Sequence, residues 1–242
     1  MQLRYLYRTF KARYRDERAE LKAALALIRT GDTVADIGAN KGAYLYWLQK
    51  AVGRDGKVFA FEPQPRLARY LESVRAARDW RHVQIQDCAL SDETGIARLH
   101  IPGEADSPGA SLEAQPPYAT ASRQCECRTD TLDRLLGGEQ RISFLKIDVE
   151  GHELNVLRGA QQLLMRHLPA LLFECEARHL TRHSMTDVFD FLKNFGYAGN
   201  FFSPAGLRPL AEFAPARHQK TDGHRFWDAP DYCNNFLFIA AR

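Results

Sequence analysis

Ten residues, Thr33-Val34-Ala35-Asp36-Ile37-Gly38-Ala39-Asn40-Lys41-Gly42, constrain this chain more than any others. A short apolar run leads into a loop with two glycines. Apolar residues then recur at helical spacing, at Ala43, Leu45, Tyr46 and Leu48. The pattern predicts strand, tight turn, helix. Gly38 can take a positive φ, and Gly42 lets the first helical turn approach a bound molecule or the strand. Asp36 ends the strand beside a helix N-terminus with free backbone N–H groups. Together these features build a nucleoside-type cofactor site; the alternative is an ordinary strand–turn–helix corner. The spacing is G-x-x-x-G rather than the G-x-G-x-x-G of dinucleotide binders, so it suits a pyrophosphate poorly.

The rest of the chain extends this unit. Its 242 residues allow one large α/β domain, or a domain with an extension. Residues 1–15 interleave Arg4, Arg8, Lys11, Arg13 and Arg15 with Tyr5, Tyr7, Phe10 and Tyr14. Such a stretch reads as a peripheral membrane or anionic-partner contact, or as a helical extension laid over the domain, and we favour the extension. Residues 16–29 carry apolar positions at helix spacing and stop at Gly31; this helix is expected to pack on the first strand. We therefore expect an N-terminal helical extension over 1–30 and the α/β domain over 31–242.

Val58–Phe61 reads as the second strand, ending at Glu62-Pro63. In a βαβ unit the tips of strands one and two are neighbours, and a carboxylate there can accept both ribose hydroxyls. Pro65 opens an amphipathic helix of about 66–78. A third strand, 82–86, leads to Asp87, Cys88 and Ala89, which are expected to border an adenine. Residues 95–101 and 123–128 alternate as strands. Between them, 102–124 is rich in Pro, Gly, Ala and Ser, and reads as a loop insertion. Its Gln115-Pro116-Pro117-Tyr118 is similar to the D/N-P-P-Y motif of amino-methyltransferases, but it has the wrong first residue and precedes the fourth core strand.

The second informative stretch is Ile142-Ser143-Phe144-Leu145-Lys146-Ile147-Asp148-Val149-Glu150-Gly151-His152. A buried strand with Lys146, Asp148 and Glu150 at alternate positions puts three charges on one face or its extension. Buried charges are costly unless paired or used. Asp148 and Glu150 point at the crevice where open α/β sheets bind ligands; a structural ion cluster is the alternative. One helix follows, through Leu164. Residues 169–174 form a fifth strand, whose Glu174 and nearby Glu176 border the same crevice. Residues 187–195 are helical, 199–232 irregular, and 235–240 the last strand. Five scattered cysteines offer no zinc pattern and read as reduced thiols. Two acids do not make a metal site, and none is assigned. A net charge of +3 is too small to argue for nucleic acid. With no apolar run near the ~20 residues of a membrane span and no signal-type h-region, a cytoplasmic protein is expected.

Taken together, DIGANKGAY, FEPQP, TLD, FLKIDVEGHELNVLRGA, the LLFE strand and the terminal NNFLF resemble the FkbM-type methyltransferase family. The resemblance implies a Rossmann-like class I fold: a seven-stranded, mostly parallel sheet with an antiparallel last strand. It implies S-adenosylmethionine as donor and O-methylation of a hydroxyl on a sugar, glycan or related small acceptor. It carries cofactor contact onto Asp36, Gly38, Asn40, Gly42 and Glu62, with Ala39 between them, and an active-site place onto Asp148 and Glu150. An alcohol acceptor needs its proton removed as the bond forms. The candidate bases are Asp148 first, then Glu150, Glu174 and His152. A nucleic-acid methyltransferase and a non-catalytic module that keeps the donor pocket are the competing readings.

Overall fold

The central strands bury nearly every residue on both faces, as parallel strands covered by helices must. They are β1 (Thr33–Ile37), β2 (Lys57–Phe61), β7 (Phe144–Ile147) and β8 (Ala170–Glu174). The computed structural model describes residues 2–103, 105–113, 122–223 and 225–241. The Gln115–Tyr118 motif lies outside them.

The main sheet has the order β10-β9-β11-β8-β7-β1-β2-β3, with β3 spanning Val83–Gln86. Strands β3, β2, β1, β7 and β8 run parallel. The last strand, β11 (Asn235–Ala240), inserts antiparallel between β8 and β9 (Tyr197–Ser203). The sheet therefore has eight strands rather than seven. The additional one is β10 (Gly206–Pro209), which pairs antiparallel with β9 inside a stretch expected to be irregular. Its Leu207, Arg208 and Pro209 are exposed on the sheet edge, so no buried face marked it in the sequence.

Residues alternate between two cores. Ala35, Ile37, Phe59, Phe61, Leu145, Ile147, Leu171 and Phe173 pack on one face. Val34, Val58, Ala60, Phe144 and Leu172 pack on the other, against α3 (Ala43–Val52) and α4 (Pro65–Ala77). By period two, Asp36 and Lys146 belong to this second face, and the β1–β7 register sets them side by side.

The N-terminus is a fixed part of this second layer. Helix α1 (Gln2–Lys11) runs through a π-helical turn (Ala12–Asp16) towards α2 (Arg18–Leu27). Tyr5 is buried, and its hydroxyl donates to the Gly42 carbonyl at 3.0 Å. The Trp47 indole N–H donates to the Thr9 carbonyl at 2.9 Å. Helix α2 leans mainly on α3 and β8 rather than on β1, because α3 already covers that strand. The outer face of α1 leaves Leu3, Tyr7 and Phe10 exposed, with Tyr14 continuing the stripe.

A second, three-stranded sheet joins β4 (Ala89–Leu90), β6 (Ser122–Asp130) and β5 (Gly95–Pro102) in that order. The Thr131 hydroxyl caps α5 (Leu132–Leu136) by accepting from the Arg134 N–H. The expected single helix after β7 is two, α6 (Glu153–Arg158) and α7 (Gln161–His167). They break at Gly159, where an added Cβ would stand 2.0 Å from the Ser91 carbonyl oxygen. Helix α8 (Met185–Asn194) opens on a Ser184–Asp187 capping box. All five cysteines are free thiols. Among the described residues, no helix is long and apolar enough to cross a membrane.

Candidate functional site

The strand order changes direction at β1 and β7, and the loops beyond their carboxyl ends part to leave a crevice. Gly38 has φ +79°, and a Cβ there would lie 1.8 Å from the Asp148 carbonyl oxygen. The two loops thus touch through backbone, at a distance only glycine permits. The N–H groups of Gly38 and Ala39 both donate to the Phe61 carbonyl, at 3.0 and 2.9 Å. Asn40 is also left-handed, at φ 48°.

This turn aims the Asn40 N–H at Glu62. It donates to Glu62 Oε2 at 2.7 Å, and the Gln64 N–H donates to Oε1 at 2.9 Å. Glu62 is only 2% exposed, and burial pushes its carboxyl up to about 7 against the pull of those two N–H groups. Each oxygen keeps a lone pair, which suits a vicinal diol. Glu62 borders a cavity walled by Ile37, Phe61, Cys88, Ala89, Leu90 and Leu99. Of the three residues expected to border an adenine, Cys88 and Ala89 line this cavity, while Asp87 is exposed and is not part of its wall. Glu62→Gln sets an amide N–H₂ against a backbone donor. It should weaken adenosine and S-adenosylhomocysteine alike by roughly 10- to 100-fold in calorimetry.

A second, polar cavity lies on the other side of the glycine loop. Asp36, Tyr44, Lys146 and Asp148 form its inner wall, and Arg8 and Glu17 of the N-terminal segment also line it. Asp36 is buried and its Oδ2 has no hydrogen-bond partner among the described residues. Burial lifts its carboxyl to about 7, with Lys146 opposing and Asp148 and Glu62 adding to the rise. Lys146 Nζ stands 3.3 Å from Asp148 Oδ2 and 5.1 Å from the centre of the Tyr44 ring. Burial alone would lower the Lys146 amine, but Asp148, Glu17, Glu174 and Asp36 outweigh it and hold it above its ordinary value. The Tyr44 hydroxyl donates to Glu17 at 3.1 Å. The side chain of Asp148 is 36% exposed. Asp148 lines both cavities, as do Gly38, Asn40 and Pro108.

The remaining candidate acids feel the Asp148 charge but are engaged elsewhere. Strand β7 ends at Ile147, and Glu150 takes φ 55° before Gly151, so the alternation of Lys146, Asp148 and Glu150 is not kept. Glu150 pairs with His179 at 2.8 Å. Burial raises the Glu150 carboxyl; it would lower His179, but the bond to Glu150 outweighs it and raises the imidazole. Glu174 accepts from Asn234 at 2.9 Å, and burial drives its carboxyl well up. Glu176 is buried too, yet Arg178 and Tyr232 hold it down at about 2. Neither Glu150 nor Glu174 lines the two cavities. His152 lines the first cavity, but both ring nitrogens are engaged, Nδ1 with Glu113 at 2.8 Å and Nε2 with Ser91 at 2.9 Å.

Glu113 belongs to the insertion after β5, which folds over the first cavity. Pro108, Ala110, Ser111 and Leu112 form its outer wall. The Gln64 amide and the Ser107 backbone exchange two hydrogen bonds, at 3.0 and 3.1 Å. Ser111 Oγ donates to the Glu150 carbonyl at 2.6 Å. Sequence reasoning did not single out Gln64, Tyr44 or Glu17 for the site, although Gln64 lies inside FEPQP; Arg8 it named only as part of the basic aromatic N-terminal stretch.

The donor implied by the motifs fits this arrangement. The first cavity, with Glu62 beside a wall of apolar side chains, suits a nucleoside, and the unpartnered Asp36 Oδ2 suits an ammonium group. A cationic ligand favours the ionised carboxylate, so it lowers the Asp36 carboxyl below about 7 on binding. Donor affinity should therefore climb as pH rises through about 7 and flatten above it. Calorimetry in two buffers of different ionisation enthalpy should show proton release near the low end of that range and none well above it.

Comparisons with known proteins agree. A family model described as the methyltransferase FkbM domain matches residues 36–198, more than half of the chain. No curated protein matches the chain. Among solved structures, a methyltransferase FkbM from Methylobacillus flagellatus KT is 17% identical with a TM-score of 0.53. The match covers 90% of this chain and 50% of that one, so this chain spans about half that protein's length. A putative rRNA-methylase from Clostridium thermocellum is 9% identical, TM-score 0.53, over 92% of this chain and 94% of that one. Aeropyrum pernix fibrillarin with natively bound S-adenosyl-L-methionine is 14% identical, TM-score 0.50, over 92% and 75%. These likenesses carry the fold, while the domain match carries the family: the chain belongs to the FkbM methyltransferases, and S-adenosylmethionine is its methyl donor.

Proposed function

We propose that the protein is an O-methyltransferase acting on a hydroxyl of a sugar, glycan or related small acceptor, with Asp148 as the base. The observation that carries this reading is the position of Asp148. It is the one acid that lines both cavities among the described residues, at their junction, and it remains partly open to solvent. When bound, S-adenosylmethionine supplies a methyl group made electrophilic by its sulfonium. Asp148 takes the hydroxyl proton as the acceptor oxygen attacks. Lys146, fixed beneath it, orients the carboxylate. Glu62 and Asp36 hold the two ends of the donor, and the 105–113 insertion keeps water from the nucleoside side. The test is methyl transfer to fractionated glycans and hydroxylated metabolites, read by mass shift. No transfer to any hydroxylated acceptor over a broad screen would sink the O-methyl reading.

A nucleic-acid acceptor is the second reading. The Clostridium thermocellum protein of similar fold is described as a putative rRNA-methylase and one from Streptococcus thermophilus as an rRNA methylase, and α1 is basic. It requires RNA binding that weakens steeply with salt; absent or salt-insensitive binding removes it.

A further inference from the structure

The family match begins at residue 36, yet the polar cavity is closed by side chains that precede it. Its lining carries charges of both signs. Asp36, Asp148, Glu17 and Lys146 line it, and Arg8 and Lys41 line it as well. Lys11 is neutralised by Asp16 at 2.8 Å. The Lys41 ammonium has no partner among the described residues. Arg8 is oriented from behind: its Nη2 donates to the Tyr70 hydroxyl at 2.5 Å, and its guanidinium carbon stands 5.5 Å from the centre of that ring. Its Nε is buried and has no hydrogen-bond partner among the described residues. The cavity also includes Ala43 and Tyr44, the first residues of α3, whose N-cap is Gly42 and which has no side-chain cap. A guanidinium fixed in place, with a buried donor unused, waits for an acceptor that can take its N–H groups.

We propose that Arg8 anchors an anion in this cavity, the α-carboxylate of the donor's methionine end, while Asp36 takes the ammonium group of that same end. This rests on the chain's use of S-adenosylmethionine and extends the donor site into an N-terminal helix outside the matched domain. A zwitterionic amino acid needs one carboxylate and one cation, and Asp36 on β1 and Arg8 on α1 supply them from two elements that line one cavity. Tyr5 and Trp47 fix the helix to the glycine loop and to α3, so the guanidinium is placed before the ligand arrives.

The test is calorimetry on full-length protein, wild type against Arg8→Gln and Arg8→Lys, with three probes. S-adenosylhomocysteine carries the amino acid, 5′-methylthioadenosine lacks it, and decarboxylated S-adenosylmethionine lacks only the carboxylate. Arg8→Gln should weaken S-adenosylhomocysteine roughly 10- to 100-fold and leave the other two within about twofold, with Arg8→Lys between. Binding of 5′-methylthioadenosine reports that the variant is folded. Equal loss for all three probes would make Arg8 a prop for α1 and overturn the assignment. So would no loss for any of them, or unchanged donor affinity with a raised acceptor KM. A wild type that binds none of the probes would instead remove the donor site itself.

Discussion

Gly38→Ala should leave a protein that either fails to accumulate or melts far below wild type and binds no donor. Two costs coincide. The residue sits at φ +79°, where a Cβ is strained by about 1–2 kcal/mol. That Cβ would also lie 1.8 Å from the backbone oxygen of Asp148. Backbone cannot swing aside as a side-chain tip can, so the loops after β1 and β7 must part. We expect a loss of at least ~3–5 kcal/mol, at the large end for single substitutions. Gly42→Ala is the internal comparison. Its nearest neighbour is Leu71 Cδ2 at 2.8 Å, the end of a flexible chain, so relaxation should hold the loss to about 1–3 kcal/mol. Melting curves and donor titration of both variants decide it. A Gly38→Ala protein as stable as wild type, with unchanged donor affinity, would show that the two loops are not locked as described.

Asp148→Asn should lower the methylation rate at saturating donor and acceptor by about 10²- to 10⁴-fold, the range for loss of a positioned base. Donor affinity should change only a few-fold, because Asn keeps the shape and Lys146 retains Asp36 and Glu17 nearby. Glu150→Gln and Glu174→Gln are the controls. Both residues lie outside the two cavities and are engaged by His179 and Asn234. Their effect should fall on melting temperature, with rates within about tenfold of wild type. A near-normal rate for Asp148→Asn would move the chemistry to another group, or favour a binding module without a base.

The expected sites divide on physical grounds. Asp36, Gly38, Asn40 and Glu62 were legible because a parallel strand followed by a glycine turn fixes where its tip residues go. That logic is local, and nothing distant needs to be known. It failed at Glu150, where a left-handed residue before Gly151 ends the alternation that strand geometry assumes. For His152, named as a candidate base, the sequence could not show that the ring is held between Glu113 and Ser91, 39 and 61 residues away. The β10 edge strand was invisible because none of its residues is buried, and burial is what writes a period into a sequence.

By itself, then, the sequence determined the parallel core, the glycine turn, the two acids at its tips and the family they signal, since each depends on residues close together in the chain. Only the tertiary structure decided that Asp36 and Lys146 stand shoulder to shoulder, that Asp148 is the acid shared by both cavities, and that the N-terminal helix lines the second of them. Those facts come from strand register and from hydrogen bonds such as Tyr5 to Gly42, which join residues far apart and leave no local pattern to read.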